Sequence, residues 1–158
     1  MNLHLDDLTV DTSTIVLSDI IECWLWLVKD CRQLLLVSKM GDLFYESSNG
    51  CVYWLATDTG TTTQIANDTE QFNLLLHHED NIDNWFLPLL IEQLIAKEIL
   101  LKEDQVYSYK QFPILGGEYD IDNIEPTNVS VHFGLTGQVF EQVSKLPEGT
   151  RVKIKITD

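Results

Sequence analysis

Gln33-Leu-Leu-Leu-Val-Ser-Lys-Met-Gly-Asp-Leu-Phe-Tyr-Glu-Ser-Ser-Asn-Gly-Cys-Val-Tyr-Trp-Leu-Ala-Thr-Asp-Thr-Gly-Thr-Thr-Thr-Gln-Ile-Ala66 is the stretch that decides the fold class. Four runs rich in aliphatic, β-branched and aromatic residues alternate with three turns that each end in glycine: Gly41, Gly50 and Gly60. Side chains of those types fit a pleated surface. Asn49-Gly50 between two such runs is a hairpin signature. The economical reading is four sequential antiparallel strands at 33–38, 42–46, 51–56 and 61–66.

Helical signals flank this meander. Upstream, Ile20, Ile21, Trp24, Leu25 and Val28 share one helical face, with Ser18 or Asp19 placed to cap it. A strand starting at Cys23 is the alternative, because Trp24 and Trp26 also alternate. Downstream, Asn67 with Glu70 three residues on reads as an N-cap and capping box for a helix burying Phe72, Leu75 and Leu76. Pro88 has no amide donor and suits only a first helical turn. A turn is therefore expected at 82–86 and a regular helix over 87–100. The last third reads as a strand at 105–111, a turn-rich segment over 112–127 and a strand at 128–133. A helix with Leu135, Val139, Phe140 and Val143 on one face, a turn at 147–149 and a strand at 151–156 complete it. This is an α+β chain, an antiparallel β-meander with packed helices, expected to form a single domain over 1–158.

The charge bounds the partners. The net charge is −15, from 25 acids against 10 bases. No Lys or Arg occurs from Met40 to Ala96, nor from Gln111 to Ser144. Direct nucleic-acid binding is disfavoured, since neutralising phosphates takes Lys and Arg. The excess acid serves solubility, or steers a basic partner. The longest apolar runs, Trp24-Leu-Trp-Leu-Val28 and Trp85-Phe-Leu-Pro-Leu-Leu-Ile91, fall far short of the ~20 residues of a membrane span. Met1-Asn-Leu-His-Leu-Asp-Asp7 lacks the basic start of a signal peptide, so a cytoplasmic protein is expected.

No catalytic or metal grouping emerges. Cys23, Cys31 and Cys51 form no CxxC pair and read as reduced thiols. His77-His78-Glu79-Asp80 reads as a polar helix end and loop rather than a metal site. Gly116-Gly117 lacks the third glycine of a dinucleotide loop, and Gly134-Leu-Thr-Gly137 reads as a tight turn. Ser130 and His132 would project together from a strand, as a polar solvent face. Glu118, Asp120 and Asp122 lack the glycine and bidentate Glu of a calcium loop. No cofactor is expected.

Several segments carry a resemblance. They are Gly41-Asp-Leu-Phe44, Trp85-Phe-Leu-Pro88, Leu115-Gly-Gly-Glu-Tyr119, Asn123-Ile-Glu125, Val131-His132, Gly137-Gln138 and Leu146-Pro-Glu-Gly-Thr150. In this order they resemble the C-terminal domain family of immunity proteins that neutralise type VI secretion DNase effectors. The resemblance covers most of the chain from about Asp19 and is densest after Phe112. It implies a cytoplasmic, non-enzymatic protein that binds a co-produced basic toxin, with no catalytic residues to assign. On that reading the contact set is Glu118, Asp120, Asp122 and Glu125, with Asp58, Glu79, Asp80 and Asp83 as a second group. The alternatives are a regulatory interaction module of the cell-wall-regulator type and a small enzyme of unassigned chemistry.

Overall fold

A computed structural model describes residues 2–151 and 155–157. Two short helices, α1 (Leu5–Leu8) and α2 (Leu17–Ile21), precede strands β1 (Gln33–Val37), β2 (Leu43–Glu46), β3 (Val52–Ala56) and β4 (Thr61–Ala66). Helices α3 (Thr69–Leu75), α4 (Glu79–Phe86) and α5 (Pro88–Ala96) follow. The chain then forms β5 (Gln105–Tyr109), β6 (Ile124–Asn128) and the long helix α6 (Val129–Ser144). The expected meander is present, antiparallel in the order β1-β2-β3-β4, and β5 pairs with β6 in a second sheet. The α+β class read from the sequence holds.

Both faces of the meander are covered, and the two-residue period of a strand sorts the side chains between them. On β2, Phe44 turns to a cluster with Phe72, Trp85, Phe86 and Ile91. Its neighbours Leu43 and Tyr45 turn to the opposite cluster, with Trp24, Phe133 and Phe140. β5 repeats the division, with Tyr107 and Tyr109 on the first side and Val106 on the second. A strand buried on both faces has no solvent side, which is why β2 shows no clean apolar and polar alternation. Phe44 is the hub of its cluster, 5.2 Å from Phe86 and 5.7 Å from Phe72 between ring centroids. Burying one such side chain is worth about 1.5–3 kcal/mol.

Local chemistry sets the turns. Of Asn49-Gly50 only the glycine takes a positive φ, +87°. Ser47 N donates to Cys51 O at 2.9 Å and Gly50 N to Ser47 O at 3.0 Å. That is a three-residue hairpin loop, since the two-residue type I′ turn needs positive φ at both positions.

Several expected boundaries move. The first helical segment starts at Leu17, behind Val16 and not Ser18 or Asp19, and continues as a 3₁₀ turn over Glu22–Trp24. Ile20, Trp24 and Val28 are buried as expected, whereas Leu25 is exposed. The cap of α3 is Asp68, one residue after Asn67: its Oδ1 accepts from Gln71 N at 2.7 Å. Asn67 N donates to Gln71 Oε1, so the capping side chain reaches one residue further back than in the usual box. Residues 82–86, expected as a turn, belong to α4. The break is a single residue, Leu87, held left-handed at φ +52°, with Pro88 opening α5 as expected.

The largest correction concerns 128–133, expected as a strand and found as the start of α6. Asn128 caps that helix, its Oδ1 accepting from Ser130 N at 2.9 Å and Val131 N at 3.3 Å. The strand lies just before it, as β6, almost wholly inside the segment expected to be turn-rich. Gly134 and Gly137, expected in a tight turn, both sit within α6. At Gly137 a Cβ would come within 2.5 Å of the Cys23 carbonyl oxygen, so the glycine lets the helix touch the backbone of the 3₁₀ turn. Of the strand expected at 151–156, residues 152–154 lie outside the described residues.

Candidate functional site

The turn after β1 is built on Gly41 and Asp42. Gly41 has φ +84°, and an added Cβ would fall on the imidazole of His132. Its carbonyl lies 2.9 Å from His132 Nε2 and 2.8 Å from Thr57 Oγ1. A carbonyl cannot donate, so His132 carries its proton on Nε2. Nδ1 is left to accept from Ser108 Oγ at 2.8 Å. His132 is buried, and burial drives it down to about 4, so the ring is neutral at ordinary pH.

Asp42 is also buried, at 7% exposure. Its Oδ2 accepts from Trp54 Nε1 at 3.0 Å and its Oδ1 from Thr57 N at 2.9 Å. The Thr57 hydroxyl, 3.2 Å from Oδ1, divides its single proton between Asp42 and the Gly41 carbonyl. These donors favour the carboxylate. Burial, and after it the charge of Asp58, outweigh them and push Asp42 up to about 7.

Asp42 lies at the base of a cleft of about 360 Å³. Trp54, Trp85, Tyr109 and Tyr119 wall it, and Asp58, Thr59, Asn84 and Leu87 stand among its lining. Each element brings one part: the meander Asp42, Trp54 and Asp58, α4 Asn84 and Trp85, β5 Tyr109. Tyr119 comes from the loop between two 3₁₀ turns, Pro113–Leu115 and Ile121–Asn123. Its Oη donates to Asp58 Oδ2 at 3.1 Å, and its ring meets Tyr109 edge-on at 5.4 Å. Partial burial and the Asp58 charge push the Tyr119 hydroxyl up to about 12, so it stays a donor. Leu87, strained in a region that a bulky residue rarely enters, lines both the cleft and a neighbouring hollow. That hollow holds Asp83, Pro88, Leu89 and again Tyr119.

The expected contact acids divide accordingly. Glu118, Asp120 and Asp122 are exposed on the Tyr119 loop, where Asp120 Oδ1 accepts from Asp122 N at 3.1 Å. Asp58 lines the cleft, and Asp83 lines the adjoining hollow. Glu79 and Asp80 are exposed in the first turn of α4, one turn from Asp83. Glu125 is exposed on β6, paired in register with Ser108. Sequence reasoning missed Asp42 and the aromatic walls. The available signal was the Gly41-Asp42 pair after a strand and Tyr119 after the Gly116-Gly117 pair, both within the segments that carry the family resemblance.

The Ser130 and His132 pairing is overturned. On a helix, residues two apart do not face each other, and the partner of His132 is Ser108. Ser108, His132 and Thr57 are all buried, and this serine and histidine hold the turn in place. Among the described residues no three His, Cys, Asp or Glu side chains converge as metal ligands. Among the same residues no helix is long and apolar enough to cross a membrane.

Residues 66–139 match the family model described as the C-terminal part of the T6SS immunity protein Tdi1. The resemblance read from the sequence is therefore borne out over that segment, which includes Trp85, Tyr109, Tyr119 and His132. No curated protein matches the chain. The crystal structure of Atu4351 from Agrobacterium tumefaciens is similar at 14% sequence identity and a TM-score of 0.50, over 77% of this chain. The chain spans 63% of the length of that structure, and at this identity the likeness bears on the fold alone.

Proposed function

We propose that this protein is a cytoplasmic, non-catalytic immunity protein that binds a co-produced toxin, a nuclease effector, and neutralises it stoichiometrically. The observation that carries this reading is the match of residues 66–139 to the immunity-protein model. The charge supports the nature of the partner. A nuclease must hold phosphates in a basic cleft, and a surface with a net charge of −15 complements such a cleft. The contact set is Glu118, Asp120, Asp122 and Glu125, flanked by Asp58, Glu79, Asp80 and Asp83. All eight of these acids lie on the two base-free stretches, four in 111–144 and four in 40–96.

The test is a pull-down at low salt from the producing bacterium, followed by charge reversal of Glu118, Asp120, Asp122 and Glu125 together. Recovery of a basic toxin domain, with slower association and a shallower salt dependence for the reversed variant, is the expected result. Recovery of no basic toxin sinks the immunity reading. Toxin binding that ignores all four reversals moves the contact surface elsewhere.

A further inference from the structure

We propose that the cleft above Asp42 is a receptor for a single arginine side chain presented by the protein partner. The partner rests on the immunity reading, whereas the chemistry of the cleft can be tested on the chain alone.

Two carboxylates, Asp42 and Asp58, line this cleft without a counter-ion among the described residues. The ion pairs among the described residues are Arg32–Glu46 and Lys145–Glu141, and neither reaches it. No Lys or Arg is among the described residues lining it. Asp42 is a buried carboxyl whose protein partners are all hydrogen-bond donors without charge. Among the described residues Asp58 accepts through Oδ2 alone, from the Tyr119 hydroxyl, which leaves its second oxygen to a ligand. A buried acid beside another acid is costly, and an arriving cation relieves both at once.

The walls choose the kind of cation. Trp54, Trp85, Tyr109 and Tyr119 present flat π-surfaces around the two acids. A guanidinium is planar, weakly hydrated and forked, so it can stack on such rings while donating to a carboxylate. An ammonium is compact and strongly hydrated, and loses more on entering a mostly apolar cleft. The strained Leu87 at the rim fits a site held in a set shape.

The probe for the free chain is N-acetyl-arginine methylamide, with the neutral citrulline analogue as comparator, both against matched sodium chloride. The reporter is the indole N–H of Trp54, which sits on Asp42. The expected result is a saturable shift with the arginine probe, at roughly tenfold lower concentration than with citrulline. Asp58→Asn, which keeps an oxygen for Tyr119, should abolish that preference. Asn84→Lys changes an exposed residue and places an ammonium at the rim, so it should block the probe even if the first variant folds poorly. Equal response to both probes, or no saturable response, overturns the proposal.

With the cognate toxin, Asp58→Asn should weaken binding by roughly tenfold or more. A toxin that binds wild type and Asp58→Asn equally overturns the arginine receptor and leaves the immunity reading standing. A chain that binds the arginine probe selectively but no toxin overturns the immunity reading instead.

Discussion

His132 Nε2 donates to the carbonyl of Gly41 at 2.9 Å, joining α6 to the turn after β1 across 91 residues of chain. The bond leaves no room for a side chain at position 41. Gly41→Ala adds a clash with the buried ring to a left-handed backbone, which costs a non-glycine residue about 1–2 kcal/mol. With overpacking of about 1–3 kcal/mol, the total expected loss is roughly 3 kcal/mol in urea unfolding. A loss below about 1 kcal/mol, within ordinary surface effects, would mean the imidazole is not fixed against this turn.

His132 and Asp42 respond to pH in opposite directions. His132 falls from 6.5 to about 4 in the fold, so its neutral form supplies stability above pH 6.5 that is lost as pH falls toward 4. Asp42 rises from 3.8 to about 7, so the folded chain holds that proton more tightly and loses stability as pH rises across the interval. Between about pH 4 and 6.5 the two largely offset each other. Asp42→Asn removes only the second effect. The variant is destabilised, because an amide keeps only one acceptor oxygen and either the Trp54 indole or the Thr57 N–H loses its partner, but its deficit against wild type should shrink as pH rises from 4 to 7. The slope approaches about 1.4 kcal/mol per pH unit at most. A deficit that stays constant or grows with pH would show that Asp42 is ionised in the fold throughout.

Gly134 and Gly137 should give opposite signs in the same helix. Nothing lies near a Cβ at Gly134, so Gly134→Ala gains helix propensity and stabilises by about 0.5–1 kcal/mol. Gly137→Ala makes the same gain but drives a methyl into the Cys23 carbonyl, backbone that cannot swing aside. The clash should win, with a net loss of about 2 kcal/mol by thermal or urea unfolding. Equal effects at the two sites would mean that α6 does not touch the 3₁₀ turn.

Tyr119→Phe removes the hydroxyl that ties the acidic loop to Asp58. The bond is exposed, so global stability should change by less than about 1 kcal/mol. Amide exchange over 118–123 should nevertheless quicken, because local opening no longer breaks that bond. Unchanged exchange there, with β5 as the internal reference, would show that the edge-on contact with Tyr109 holds the loop alone.

Much of this architecture was legible because it is local. The meander is written in short β-prone runs and glycine turns, and each strand pairs with its sequence neighbour. The start of α6 was not, because Val129, Val131 and Phe133 alternate as a strand would. The helical set Val129, Phe133, Thr136 and Phe140 was masked by a buried histidine and two glycines in the same stretch. Asn128 was the usable sign of a helix start. At Pro88 the proline was read correctly and the residues before it were not, since one left-handed Leu87 replaced a whole turn. The acids of the candidate site could be found by charge alone. The cleft could not, because Tyr119 and Asp58 are 61 residues apart and no local pattern links them.

The division of labour between near and distant pairings also bears on how the chain folds. β1 to β4 close through hairpins of a few residues, which cost little loop entropy and form within microseconds. Yet both faces of that sheet depend on partners that arrive later in the chain, with Phe72, Trp85 and Phe86 on one side and Phe133 and Phe140 on the other. An early meander would therefore present two greasy faces at once, and its kinetic hazard lies in the interval before α6 docks. Substitutions in the hairpin turns should slow folding, whereas those in α6 should chiefly hasten unfolding.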